Sequence, residues 1–177
     1  MNISRLVEFS SPYYKEKDIM HNMWHIELLL KSIDKIIHLG NYQVNKEYLI
    51  LAAYFHGFVY SHRNDIRKWM SNEGYSNEEI ENIISISLES QRPEIPRSIE
   101  GKIIHDAHIL EGGKTYLAVK SIITGSVRGQ TLIETINYVE NYVLNKNECY
   151  LPETIPLCEE MNKFTINFIN DLKLGLE

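Results

Sequence analysis

Apolar residues recur along this chain at intervals of three and four, the spacing that lines one face of a helix. From Asp18 to Leu39 the stripe is Ile26, Leu29, Leu30, Ile33, Ile36 and Ile37, and Gly40 stands where such a helix stops. Lys46 to about Tyr60 is apolar almost all round, through Tyr48, Leu49, Leu51, Ala52, Phe55 and Val59, which predicts a central helix. A short helix is expected from Asp65 to about Glu73, closed by Gly74. Ser76-Asn77-Glu78-Glu79 and Thr131-Leu132-Ile133-Glu134 are capping boxes, in which hydroxyl and glutamate satisfy amides at a helix start. They open helices bearing Ile80, Ile83, Ile84 and Leu88, and Ile136, Val139 and Val143. Between them lie Ser98 to Glu111 and Lys114 to about Ile123, parted by Gly112-Gly113, the second loosened by Gly125 and Gly129. A last helix runs from about Pro156 to Leu174. Its stripe of Met161, Phe164, Phe168 and Leu172 packs on the bundle or on a second copy, a possible homodimer. Only Gln91 to Arg97, with Pro93 and Pro96, reads as extended, and no alternation of period two persists. The prediction is all-α: one domain over 1–177, a bundle of about eight helices without repeat or internal boundary.

Composition narrows the class. A chain of 177 residues with 44% hydrophobic and 24% charged positions, 9 Gly and 5 Pro can bury one core and is neither disordered nor collagen-like. With 18 basic against 24 acidic residues the net charge is −6, which argues against a general nucleic-acid or membrane-surface binder. Cys149 and Cys158 read as free thiols of a reducing compartment. The start has no signal-peptide pattern, and the longest apolar run, Leu49 to Phe55, is far below the ~20 residues of a membrane span. A cytoplasmic protein that binds neither nucleic acid nor membrane is expected. No phosphate-loop signature, serine elbow or zinc-finger cysteine pair is present, and Gly125-Ser126-Val127-Arg128-Gly129 reads as an inter-helix loop.

The histidines carry the candidate chemistry. His21 and His25, four apart, share a helix face; His56 ends the most apolar helix and His62 follows it; His105 and His108 lie three apart on a later helix. A histidine at the end of a buried helix is costly unless its ring nitrogens find partners. Three clusters from separate helices can converge in a bundle core, which is how bundles build metal sites. The plain alternative is that each is a satisfied core residue or a chance pair on a solvated face. His38, near a helix end, needs only a capping role.

The order of these clusters resembles the HD superfamily of metal-dependent phosphohydrolases, over about residues 17 to 124. His21-Asn22-Met23-Trp24-His25-Ile26 is similar to that family's His-Asp-Trp-x-His-Ile opening, with Asn22 where an Asp is usual. Leu51-Ala52-Ala53-Tyr54-Phe55-His56-Gly57 resembles its Ala-Ala-Leu-x-His-Asp segment. Ile99-Glu100-Gly101-Lys102-Ile103-Ile104-His105-Asp106-Ala107-His108-Ile109-Leu110-Glu111 resembles Thr-x-Glu-Gly-Lys-Ile-x-x-Asp-Ala-Asp-x-Leu. Two departures stand out. The aspartate that names the family is Gly57 here, and the closing aspartate of its last motif is His108.

The resemblance implies a helical hydrolase in which His25, His56 and His108 hold one divalent metal ion, with Zn, Fe, Mn and Ni all compatible with imidazole. It implies a small phosphorylated, nucleotide-like substrate. Asp106 and Glu111 are the candidate general base or fourth ligand, and Arg63, just past the His56 helix, the candidate phosphate clamp. At about 100° per residue Asp106 and His108 point some 160° apart, so one helix does not easily aim both at one ion. The apolar stripe favours Asp106 for the buried side, the motif register His108. The alternative implied by the lost carboxylates is a degenerate domain that binds a ligand without turnover, its pocket lined by Trp24, Tyr54, Phe58 and Tyr60. Lys114 and Lys120 read as solvated charges.

Overall fold

The computed structural model describes residues 1–91, 94–144 and 147–177. Among these residues the protein is all-helical, in the order α1 (Ile3–Ser10), a 3-10 turn at Ser11–Tyr13, α2 (Met23–Gly40), α3 (Lys46–Phe55), α4 (Arg63–Asn72), α5 (Asn77–Glu89), α6 (Ile99–Leu110), α7 (Lys114–Val127), α8 (Leu132–Tyr138), a wide π turn at Val139–Val143, and α9 (Ile155–Gly175). The expected all-α bundle is what forms. Of the extended stretch predicted around Pro93, that residue lies outside the described ones, while Ile95 to Arg97 take no regular structure.

Helix starts are written locally. Asn2, Asn22, Asn45, Ser76, Ser98 and Thr131 each accept a first-turn amide through the side chain, satisfying a donor that has no partner within the helix. Both capping boxes close as predicted. Asn22 is thus the cap of α2. The helix α1 has no counterpart in the sequence reading. Eight residues are too few to be stable alone, and it is held by Leu6, fully buried beside Phe55 and Met70.

The middle of the molecule is α3. Leu51, Tyr54 and Phe55 join a cluster with α1, α4 and α5, while Leu49, Ala52 and Ala53 join one with α2, α5 and α6. Each large side chain buried this way contributes roughly 1.5–3 kcal/mol, which fixes where the end of α3 lies. A third cluster joins Ile109 and Leu117 to α8, the π turn and α9. The predicted α9 stripe divides: Met161 is buried and Phe168 exposed, while Ile169, outside that stripe, is buried. Predicted to loosen at Gly125, α7 instead runs through it to Val127, and the glycine serves the close approach of Thr135 of α8, with which a side chain at 125 would collide.

Candidate metal centre and the clefts that reach it

Local structure places each key imidazole at a helix end. The Asn22 cap starts α2 so that His25 falls in its first turn, facing inward and 2% exposed. His56 is the residue on which α3 ends, 5% exposed. His108 lies in the last turn of α6, partly exposed. One ring nitrogen from each lies within 4.8 Å of the other two, and the Nε2 atoms of His25 and His56 are 2.9 Å apart.

The rear nitrogens are engaged. Nδ1 of His56 donates to the Ala53 carbonyl at 2.6 Å, and Nδ1 of His108 donates to the Ser90 carbonyl at 3.1 Å. Nδ1 of His25 sits 2.7 Å from Oε2 of Glu111, a close contact that falls off the hydrogen-bond line. Carbonyl or carboxylate behind an imidazole is the arrangement that orients metal ligands, because it places the proton on the rear nitrogen and the lone pair in front. In that tautomer two lone pairs of His25 and His56 face each other at 2.9 Å, which is repulsive unless a proton or a cation lies between them. The donor set and its backing therefore fit a divalent ion.

The imidazoles are also held neutral. Burial, reinforced by the positive charges of Lys120 and Lys17, pushes His25 down to about 2. Burial and the neighbouring His25 push His56 down to about 3. Burial lowers His108 well below the ordinary imidazole range against the pull of Glu111. Neutral imidazole is the ligating form. Glu111, 2% exposed, touches His25 on one side and on the other is paired to Lys120, whose ammonium also lies 5.8 Å from the Tyr116 ring centre.

Gly57 marks the largest departure from the motif. A side chain there would meet the Tyr14 hydroxyl at 2.6 Å and the Lys17 ammonium at 2.8 Å. Tyr14 donates to the Tyr54 carbonyl at 2.8 Å and accepts from the Gly57 amide, while Lys17 donates to the Gly57 carbonyl at 2.6 Å. The Lys17 ammonium thus takes the space beside Gly57.

Two clefts, each about 270 Å³, reach the imidazoles and share His21, Gln91 and His108. One is bounded by Lys17, Tyr14, His25, His56, Phe58 and Tyr60. The other runs along α7 past Lys120 to Arg128 and Tyr138. Although acids outnumber bases in the chain, no carboxylate is among the described residues lining either cleft. Asp18 lies behind His21, its carboxylate 2.8 Å from the ring.

The structure brings His25, His56 and His108 together and sets Glu111 behind His25. It does not bring Asp106 there. Fully buried, that carboxylate accepts from the amides of Tyr150 (2.9 and 3.0 Å) and Leu151 (2.9 Å) and lies 2.5 Å from the Thr154 hydroxyl, tying α6 to the start of α9. As the apolar stripe predicts, Asp106 is on the buried side of α6, and His108 is on the cleft side. Arg63 opens α4 and lines neither cleft, so the expected clamp is not at the site. His62 pairs with Asp65, and His105 packs on Tyr150. Of the expected wall, Phe58 and Tyr60 line the cleft, Tyr54 is buried outside it, and Trp24 is 48% exposed against Tyr116. Lys120 is not solvated but 15% exposed against Glu111. Sequence reasoning missed Lys17, Tyr14 and Gln91, whose placement depends on tertiary contacts with the 54–57 segment and carries no local signal.

No protein-family model and no curated protein matches the chain. Its fold is shared with solved structures. Bacillus subtilis YpgQ in complex with ADP superposes with a TM-score of 0.74 at 16% identity, over 96% of this chain and 97% of that one. YpgQ in another crystal structure gives 0.75 at 16%, over 98% and 96%. The Lin1889 protein of Listeria innocua gives 0.73 at 20%, over 99% and 98%. The likeness is to the whole fold from end to end. No helix among the described residues is long and apolar enough to cross a membrane.

Proposed function

We propose that this protein is a metal-dependent phosphohydrolase of HD type that holds one divalent ion on His25, His56 and His108 and acts on a small nucleotide-like substrate. The observation that carries the reading is the convergence of three neutral imidazoles, each with its rear nitrogen against an acceptor and its front nitrogen facing a common point. A divalent ion supplies a lowered pKa for bound water and polarises a phosphoryl oxygen. The protein's own groups provide the rest. Glu111 orients His25 and pairs with Lys120, and Lys17 brings positive charge to a cleft with no carboxylate among its described lining residues, which suits a phosphate chain. The ADP held by YpgQ, a protein of the same fold, supports a nucleotide-like ligand. Asp106 and Arg63 have no part in this reading.

A second reading, binding without turnover, is favoured by one observation: Gly57 offers no ligand, and its surroundings are filled by Tyr14 and Lys17. The two are separated by metal analysis of untagged protein, reconstitution with Zn, Mn, Fe and Ni, and a turnover screen over nucleoside mono-, di- and triphosphates. About one ion per chain is expected, lost in His25→Ala and in His56→Ala and retained in Asp106→Asn, together with phosphate or pyrophosphate release. An ion without turnover supports the second reading. Failure to take up any of the four metals overturns both the site and the reaction.

A further inference from the structure

We propose that the cleft along α7 is the nucleoside subsite of this protein, so that a nucleotide lies across both clefts with its phosphates at the imidazoles and its base near Tyr138. The inference rests on the phosphohydrolase reading and adds where the rest of the substrate goes. Small-molecule sites usually enclose about 300–1,000 Å³. Neither cleft of about 270 Å³ reaches that range alone, but they meet at His21, Gln91 and His108, beside the proposed ion. A ligand whose reacting phosphate is at His108 therefore has one continuous way out past Lys120.

The chemistry changes along that path. Next to the imidazoles it offers hydrogen-bonding groups, the Lys120 ammonium, paired on its other side to Glu111, and the His21 ring, backed by Asp18. The lining also has an apolar part, Leu117, Val139 and Val143, and the Tyr138 ring with the Arg128 guanidinium 5.5 Å from its centre. A flat ring or guanidinium plane takes a base of any sequence by stacking, and Thr124 and Gln130 give the lining hydrogen-bonding groups suited to a base edge or ribose. An end of hydrogen-bond donors and an aromatic, mixed-polarity end, with no carboxylate among the described lining residues, match a nucleoside phosphate better than a simple phosphate ester or a sugar phosphate. The π turn sets this end of the cleft: Val139 and Val143 line it from the extension of α8, which begins directly after Tyr138.

The test is binding of two probes, ADP and inorganic pyrophosphate, to metal-loaded full-length protein by isothermal calorimetry. The variants are Thr124→Trp, which fills the cleft, and Tyr138→Ala, which removes its aromatic end; a thermal melt checks that each is folded. The expected result is ADP affinity reduced tenfold or more by Thr124→Trp and several-fold by Tyr138→Ala, with pyrophosphate affinity within twofold of the parent. ADP affinity unchanged in both folded variants overturns the inference and leaves the phosphohydrolase reading standing, as does an equal loss for both probes. Parent protein that binds neither probe when loaded with metal overturns the reading itself and the inference with it.

Discussion

Asp106 and Glu111 stand five residues apart at one end of the same helix, 0% and 2% exposed, and they do opposite work. The Asp106 carboxylate is surrounded by backbone amides and a hydroxyl from residues 150–154, groups that cannot move without unpicking the start of α9. The Glu111 carboxylate is held between two side chains, Lys120 and His25, one of which lines a cleft and the other of which offers a lone pair to the centre. A buried carboxylate in a motif is therefore no sign of catalysis by itself. What separates a latch from a site is whether its partners are fixed backbone or functional side chains.

The largest effect should come from the latch. Asp106→Ala leaves the Tyr150 and Leu151 amides facing a hole, and loss of a buried, hydrogen-bonded charge costs about 3–5 kcal/mol. Urea unfolding of metal-free protein should show that loss, while zinc stoichiometry per folded molecule stays near that of the parent. A folded Asp106→Ala protein that has lost its zinc would join the two carboxylates in one site and erase the contrast.

Acidification bears on the other side of the helix. The imidazoles of His25 and His56 have folded-state pKa values of about 2 and about 3, below the ordinary value near 6.5, so the unfolded chain takes protons that the folded protein refuses. Stability linked to them is complete above pH ~6.5 and is lost as the pH falls from there towards 3, by up to tenfold in the folding constant per pH unit for each imidazole. In metal-free protein His56→Gln should flatten that slope by one proton between pH 6 and 4, as followed by chemical unfolding at fixed pH. An unchanged slope would mean that His56 is already charged in the fold.

How far this contrast is written in the sequence depends on the range of the forces involved. The helices were legible because their signals are local: capping residues such as Ser76 and Thr131 and an apolar period that each helix carries for itself. The three imidazoles were legible because each lies at a helix end within a short segment that resembles a known motif. Asp106 was placed on the correct side by its apolar neighbours, yet its partners lie 44 to 48 positions downstream, and nothing at 106 announces them. Lys120 reads as a solvated charge, and Lys17 goes unread, for the same reason. Their burial is created by the Gly57 carbonyl and by Glu111, groups brought in by packing.

Glu111→Gln sharpens the comparison from the side of the centre. The amide keeps the shape behind His25 but removes the charge that favours a proton on Nδ1, and changes of this kind behind a metal ligand typically cost 10- to 100-fold in affinity. Zinc affinity by competition with a chromophoric chelator should fall within that range. A Glu111→Gln protein with parental zinc affinity would make Glu111 a structural partner of Lys120 alone.

The smallest effect is expected at the edge of the latch, in Thr154→Val. The Thr154 hydroxyl lies 2.5 Å from Oδ2 of Asp106 and 2.9 Å from the Leu151 carbonyl, and its single proton serves the carboxylate. Valine keeps the volume and removes that donor, while the Tyr150 and Leu151 amides continue to hold the charge. Loss of one hydrogen bond to a charged group, with others remaining, costs about 1.5–3 kcal/mol. The lower end applies here because the acceptor is left solvated by two amides rather than stranded. Unfolding should show a loss of about 1.5 kcal/mol with no change in zinc or ADP affinity. A loss as large as that of Asp106→Ala would mean that the hydroxyl, and not the backbone, is what holds α9 to α6.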